Sequence, residues 1–227
     1  MRTVKTKPII LVSFMGIIAL LLICMTLATS ATALNKHMVN KGNGQQAHGL
    51  KINERLPALE ADAYYKNNIT RINLSDYQGK WLVFIFYPAD FTFVCPTELE
   101  EMASLYKNFT EQGAEVFSVS RDTPYVHKAW HDSDPRINKV EYPMLSDTTG
   151  ELCKAFGTYN ESNGLSQRAS FIFDPDGNLK AMEIHDDGFG RNTRELLREL
   201  EALKFVRENK GKVCPAGWKP GDEAIQP

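Results

Sequence analysis

The apolar residues Trp81-Leu82-Val83-Phe84-Ile85-Phe86-Tyr87 constrain the fold more than any other stretch of the chain. A strand with apolar side chains on both faces belongs in the middle of a sheet covered above and below, as in a parallel sheet. Pro88-Ala89-Asp90-Phe91-Thr92-Phe93-Val94-Cys95-Pro96-Thr97-Glu98 then turns the chain from strand to helix. Leu99, Met102, Ala103, Tyr106 and Phe109 recur at helical spacing and share one face. Pro96 fits the first helical turn, where its missing N–H costs nothing. Glu98, Glu100 and Glu101 lie near the positive end of the helix dipole. Cys95 therefore sits at a helix mouth, where unpaired backbone N–H groups favour a thiolate. A nucleophilic cysteine belongs at such a place.

The rest of the chain supplies the layers that this strand requires. Thr70 to Leu74 alternates like a short strand, and Asp76 to Lys80 turns the chain into the central one. Ala114 to Ser120 is a second apolar strand, and Thr123-Pro124 opens a short helix through Trp130 as N-cap and first-turn proline. Pro143 to Asp147 is a short strand, and Leu152, Cys153 and Phe156 fall on one helix face ended by Gly157. Cys153 reads as a core thiol, inert in an apolar setting. Ala169 to Asp174 and Leu179 to His185 are strands about the turn Asp174-Pro175-Asp176-Gly177. Leu196, Leu200 and Leu203 mark a last helix from Thr193 to Arg207. Strand–helix–strand succession implies right-handed crossovers, and the closing hairpin makes the sheet mixed.

With a net charge of -2, nothing favours nucleic acid as a partner. The cysteines at 24, 95, 153 and 214 form no C-x-x-C pair, and no histidines stand at ligand spacing, which argues against zinc. No residue pattern asks for a metal, haem or flavin. Ahead of the domain, Arg2, Lys5 and Lys7 precede an apolar run from Ile9 to Ala28, followed by Ala31-Thr32-Ala33. Residues 1–33 read either as a signal peptide or as an uncleaved signal anchor with residues 9–28 in the membrane. Both place the catalytic domain beyond the membrane, periplasmic or secreted. Residues 34–49 read as a flexible linker, and residues 50–227 as the domain.

Pro88, Thr92 and Cys95 fill the pattern Pro-x-x-x-Thr-x-x-Cys, and the run through Glu98 resembles the active-site loop of the typical two-cysteine peroxiredoxins. Lys212-Val213-Cys214-Pro215-Ala216-Gly217-Trp218 resembles the resolving-cysteine segment of the same family. The likeness covers about residue 50 to the end. It implies an α/β thioredoxin-like fold with a central mixed sheet flanked by helices. It also implies a thiol peroxidase acting on hydrogen peroxide and organic hydroperoxides, as antioxidant defence and with no cofactor. Cys95 would become a sulfenic acid and condense with Cys214 of a partner subunit. A thioredoxin-like or flavoprotein disulfide reductase would restore both thiols. The subunits would pair as homodimers and assemble into a ring.

Chemistry limits how much the cysteine can do alone. A free thiol of pKa about 8.5 is only ~3% ionised at pH 7. Complete ionisation therefore gains at most roughly thirtyfold, about 2 kcal/mol of barrier. The remainder must come from groups that hold the peroxide more strongly as its O–O bond breaks. The resemblance assigns that work to Thr92, the Cys95 N–H, Arg168 and a covering Pro88, with Glu98 orienting Arg168. Two rivals remain: a thiol–disulfide oxidoreductase, which would want a cysteine where Thr97 stands, and a chaperone-like ring.

Easily inactivated family members carry a Gly-Gly-Leu-Gly loop and a further carboxy-terminal helix. Here the corresponding loop is His131-Asp132-Ser133-Asp134-Pro135-Arg136, and only Lys219 to Pro227 follow Trp218. The expectation is a loosely held Cys214 tail and resistance to overoxidation.

Overall fold

The computed structural model describes residues 49–227. The elements, in chain order, are β1 (Glu60–Tyr65), β2 (Asn68–Asn73), β3 (Trp81–Phe86), α1 (Cys95–Glu111), β4 (Ala114–Ser120), α2 (Pro124–Ser133), β5 (Met144–Ser146), α3 (Glu151–Phe156), β6 (Arg168–Phe173), β7 (Leu179–His185) and α4 (Thr193–Glu208). The strands form one mixed sheet in the order β2-β1-β5-β4-β3-β6-β7. The pairs β3–β4 and β4–β5 run parallel. The remaining neighbours are antiparallel. The expected signal segment, residues 1–33, and all of the linker but Gly49 lie outside the described residues.

The central strand is buried at every position. Its alternate side chains divide between two cores, as a period of two demands. Trp81, Val83, Ile85 and Tyr87 pack with Leu99, Met102 and Phe109 of α1, Trp130 of α2, and Leu196 and Leu200 of α4. Leu82, Phe84 and Phe86 pack on the other face with Leu152, Cys153 and Phe156 of α3. Phe84 lies within 5.1 to 5.7 Å, centroid to centroid, of Phe117, Phe156 and Phe173. Burying one such ring contributes about 1.5–3 kcal/mol.

Local chemistry sets the boundaries. Thr123 caps α2 by accepting from Val126 N–H at 3.3 Å, and Pro124 occupies the first turn. Gly157, at φ 76°, ends α3 in the left-handed region open to glycine. Strand β1 carried no strand assignment from the sequence. Its hairpin to β2 turns through Lys66 and Asn67, both at positive φ (48° and 63°), the requirement of a type I′ turn.

The carboxy-terminal segment departs from expectation. Trp218 is only 4% exposed and packs at a tilt against Phe205 of α4, with ring centroids 4.7 Å apart. Arg198 donates to the Trp218 carbonyl at 2.8 Å, and Val213 bridges to Ile225. The tail is therefore pinned by a buried aromatic ring and a short hairpin. The looseness expected of the Cys214 tail is corrected: one large side chain buried against α4 holds the segment.

Candidate active site

The site lies at the carboxyl end of the parallel strands β3 and β4. Tyr87 N–H closes the ladder on Val119 O at 3.0 Å. Pro88 has no N–H with which to extend it, so the chain leaves the sheet and crosses to α1 as a loop. Cys95 is the first residue of α1 and is completely buried. Thr97 and Glu98 return their N–H groups to Val94 O, at 3.0 and 3.3 Å. Pro96 has none to offer, and the N–H of Cys95 has no intrahelical acceptor.

Arg168, first residue of β6, reaches across the sheet to the sulfur. Its Nη1 donates to Cys95 Sγ at 3.2 Å and to Glu98 Oε2 at 2.7 Å, while its Nε donates to Asp187 O at 2.8 Å. Both side chains of this ion pair are about 4% exposed. A planar guanidinium holding three acceptors is fixed in direction as well as position. The expected contact between Glu98 and Arg168 is present.

A second arginine completes the clamp on Glu98. Arg191 donates from its backbone N–H (2.9 Å) and Nε (2.8 Å) to Oε1, and from Nη2 (3.0 Å) to Oε2. Its Nη1 reaches Ala169 O at 2.6 Å. Burial pushes the Glu98 carboxyl up, but the bonds and charge of Arg191, then the charge of Arg168, outweigh it and hold Glu98 below the ordinary carboxylate range. Sequence reasoning missed Arg191. Its one local signal is an arginine after Gly188-Phe189-Gly190, beside the α4 N-cap Asn192.

The other expected residues are distributed unevenly. Thr92 lies in the loop, half-buried, with Oγ1 donating to Ala89 O at 2.9 Å. Its proton is thus engaged, and its lone pairs remain to accept. Pro88 is buried at the head of the same loop. Cys214 lies beside α4, with its sulfur 3.8 Å from Ala202 O, and both it and Cys95 are free thiols. Burial pushes the Cys214 thiol up, against the lowering charge of Arg198. Cys153 is buried as expected, and burial first, then the charge of Asp147, pushes its thiol up to about 12. Among the described residues no cluster of three or more His, Cys, Asp or Glu is placed to hold a metal ion.

A buried cysteine at a helix mouth, under an arginine that a carboxylate orients, defines a thiol-based redox enzyme. Comparison with known proteins specifies the class. Residues 52–182 match the profile of the AhpC/TSA family, and residues 202–227 match the C-terminal domain of 1-Cys peroxiredoxin. Alkyl hydroperoxide reductase C of Staphylococcus epidermidis is 44% identical over 178 residues, 78% of this chain and 94% of the relative. The solved AhpC of Enterococcus faecalis is 51% identical with a TM-score of 0.70, covering 72% of this chain and 98% of its own. The reduced 2-Cys peroxiredoxin of Plasmodium vivax is 29% identical with a TM-score of 0.74, covering 77% of this chain and 92% of its own. The chain belongs to the AhpC/TSA family of peroxiredoxins and is a thiol-dependent peroxidase.

The same relatives correct the expected location. The export expectation, periplasmic or secreted, does not stand: the relatives that the chain matches are named alkyl hydroperoxide reductase C, and nothing in them speaks for export. No helix among the described residues is long and apolar enough to cross a membrane. Apolar length and flanking basic charge show what a segment is compatible with, and that is too generic to fix an address.

Proposed function

We propose that Cys95 is the residue that attacks the peroxide. Its contact with Arg168 Nη1 at 3.2 Å, inside a buried Glu98–Arg168 pair, supports this reading most directly. The thiolate sulfur attacks one peroxide oxygen, the O–O bond breaks, and the leaving oxygen departs as water or alcohol once protonated. Thr92 Oγ1 accepts a hydrogen bond from the bound peroxide, and the Cys95 N–H and Arg168 face the charge that moves onto oxygen. Pro88 walls the loop against water. Residues 50–227 are the peroxidase unit.

Cys214 of a second subunit condenses with the Cys95 sulfenic acid, releasing water and forming a disulfide. An external dithiol or flavoprotein reductase then returns both thiols by exchange. The subunit works as a homodimer, and dimers assemble into a ring. The test is to follow hydrogen peroxide consumption with a disulfide reductase present. Cys95→Ser should abolish it, and Cys214→Ser should leave one turnover and block recycling. Oxidised protein should run as a dimer on a non-reducing gel, and Cys214→Ser should not. A Cys214→Ser protein that cycles normally would overturn the assignment.

A further inference from the structure

The loop that carries Thr92 holds a strained residue beside a buried polar network that the mechanism does not use. Phe91 has φ +55°, in the left-handed region that a bulky side chain rarely enters, and its side chain is 58% exposed. Its ring lies 5.8 Å, centroid to centroid, from that of buried Trp130, but more than half of it stays exposed, so ring packing is only a partial hold on that backbone. The neighbouring Asp90 is tied down at every polar atom but its carbonyl. Its Oδ1 accepts from Tyr87 O–H at 2.7 Å, and its Oδ2 lies 2.7 Å from His127 Nδ1. Its N–H donates to Asp122 Oδ2 at 2.8 Å. The side chains of Asp90 and His127 are both 0% exposed.

The proton inventory follows from the acceptors. His127 Nε2 lies 3.2 Å from Leu145 O, which can only accept, so Nε2 carries hydrogen. One more proton occupies the contact between Nδ1 and Oδ2. The pair has no net charge whether that proton rests on the imidazole or on the carboxyl. Tyr87 donates throughout, because burial, then the charge of Asp90, pushes its hydroxyl well above the ordinary range. The remaining polar groups are also engaged: Asp122 accepts from Ser120 Oγ at 2.7 Å, and Ser146 Oγ donates to Asp122 O at 2.6 Å. The end of β3, the loop, β4, α2 and β5 thus meet in one network built on two carboxylates, Asp90 and Asp122.

We propose that Asp90 and His127 are positioning residues that hold Phe91 in its left-handed conformation and so set the place of Thr92 relative to Cys95. Strained backbone persists where its surroundings over-determine it. Here the surroundings act on the residue directly before the strained one, and Thr92 comes directly after. The role is geometric, so it needs the hydrogen bonds and not the charge. An amide at position 90 keeps them all: its oxygen accepts from Tyr87, and its NH2 donates to a neutral His127 protonated on Nε2. A methyl group keeps none.

The inference rests on the proposed roles of Cys95 and Thr92. The experiment measures the second-order rate of hydrogen peroxide reduction by the reduced full chain, with Cys95→Ser as the parallel control. D90A should lose about ten- to hundredfold, while D90N should stay within about threefold of wild type. F91G removes the strain, since glycine enters positive φ freely. The loss caused by D90A should therefore shrink at least about threefold in the F91G background. H127A should weaken the reaction in the same direction as D90A. An equal D90A loss in both backgrounds, in protein with native circular dichroism, overturns the clamp. So does a D90N loss as large as that of D90A. An active Cys95→Ser protein would instead refute the nucleophile assignment.

Discussion

Replacing Arg168 by methionine separates the chemistry of the site from its architecture. The guanidinium makes three contacts, to Cys95 Sγ, Glu98 Oε2 and Asp187 O. One of these touches the reacting atom. A hydrogen bond to a charged group contributes about 1.5–3 kcal/mol, which corresponds to roughly ten- to 150-fold in rate. Methionine is unbranched and comparable in length, so the fold need not collapse around it. The Glu98 carboxylate, which would otherwise be an orphaned buried charge, keeps the three bonds from Arg191. R168M should therefore fold and oxidise slowly, losing about ten- to 150-fold in the rate constant with hydrogen peroxide. R168K should fall between, because a point charge on a flexible stem cannot hold three acceptors at once. Rapid mixing followed by alkylation and mass spectrometry of Cys95 gives the rate. A folded R168M protein within about twofold of wild type would refute the argument.

Glu98→Gln should flatten the acid limb of stability. A carboxyl held below its usual 4.5 contributes fully above that pH, and its contribution is lost as pH falls through the depressed value. Melting temperatures between about pH 3 and 7 test this, and an unchanged acid limb would contradict it. Cys153→Ala should leave turnover close to wild type, since a thiol pushed up to about 12 stays protonated and inert at neutral pH. Alkylation of Cys153 in native protein at a rate matching Cys214 would count against that. Trp218→Ala should free the tail, because truncating a buried tryptophan costs about 3–5 kcal/mol. Limited proteolysis between residues 209 and 227 should then run at least about tenfold faster, and an unchanged rate would show that other contacts hold the segment.

Much of the architecture is written in local pattern. The run from Trp81 to Tyr87 required two covered faces, and its side chains do divide between two cores. The helix after Cys95, the Thr123-Pro124 start and the Gly157 stop each depend on chemistry within a few residues. Such signals survive in a single sequence because their physics is short-ranged. Strand β1 escaped because Glu60-Ala61-Asp62-Ala63 has little β propensity of its own and gains its place by pairing with β2 and β5.

The sequence by itself determined where a reactive cysteine would stand and that a two-faced sheet would carry it. Its resemblance to a known family added Arg168 and Glu98. What only the tertiary structure decided is everything that depends on distant residues meeting. Arg191 closes on Glu98 across 93 positions of chain, and His127 reaches Asp90 across 37. Trp218 holds a tail that local composition alone makes look free. In each case the deciding energy is a buried hydrogen bond or a buried ring. Its strength depends on exclusion of water, and that exclusion exists only once the sheet and helices have closed around it.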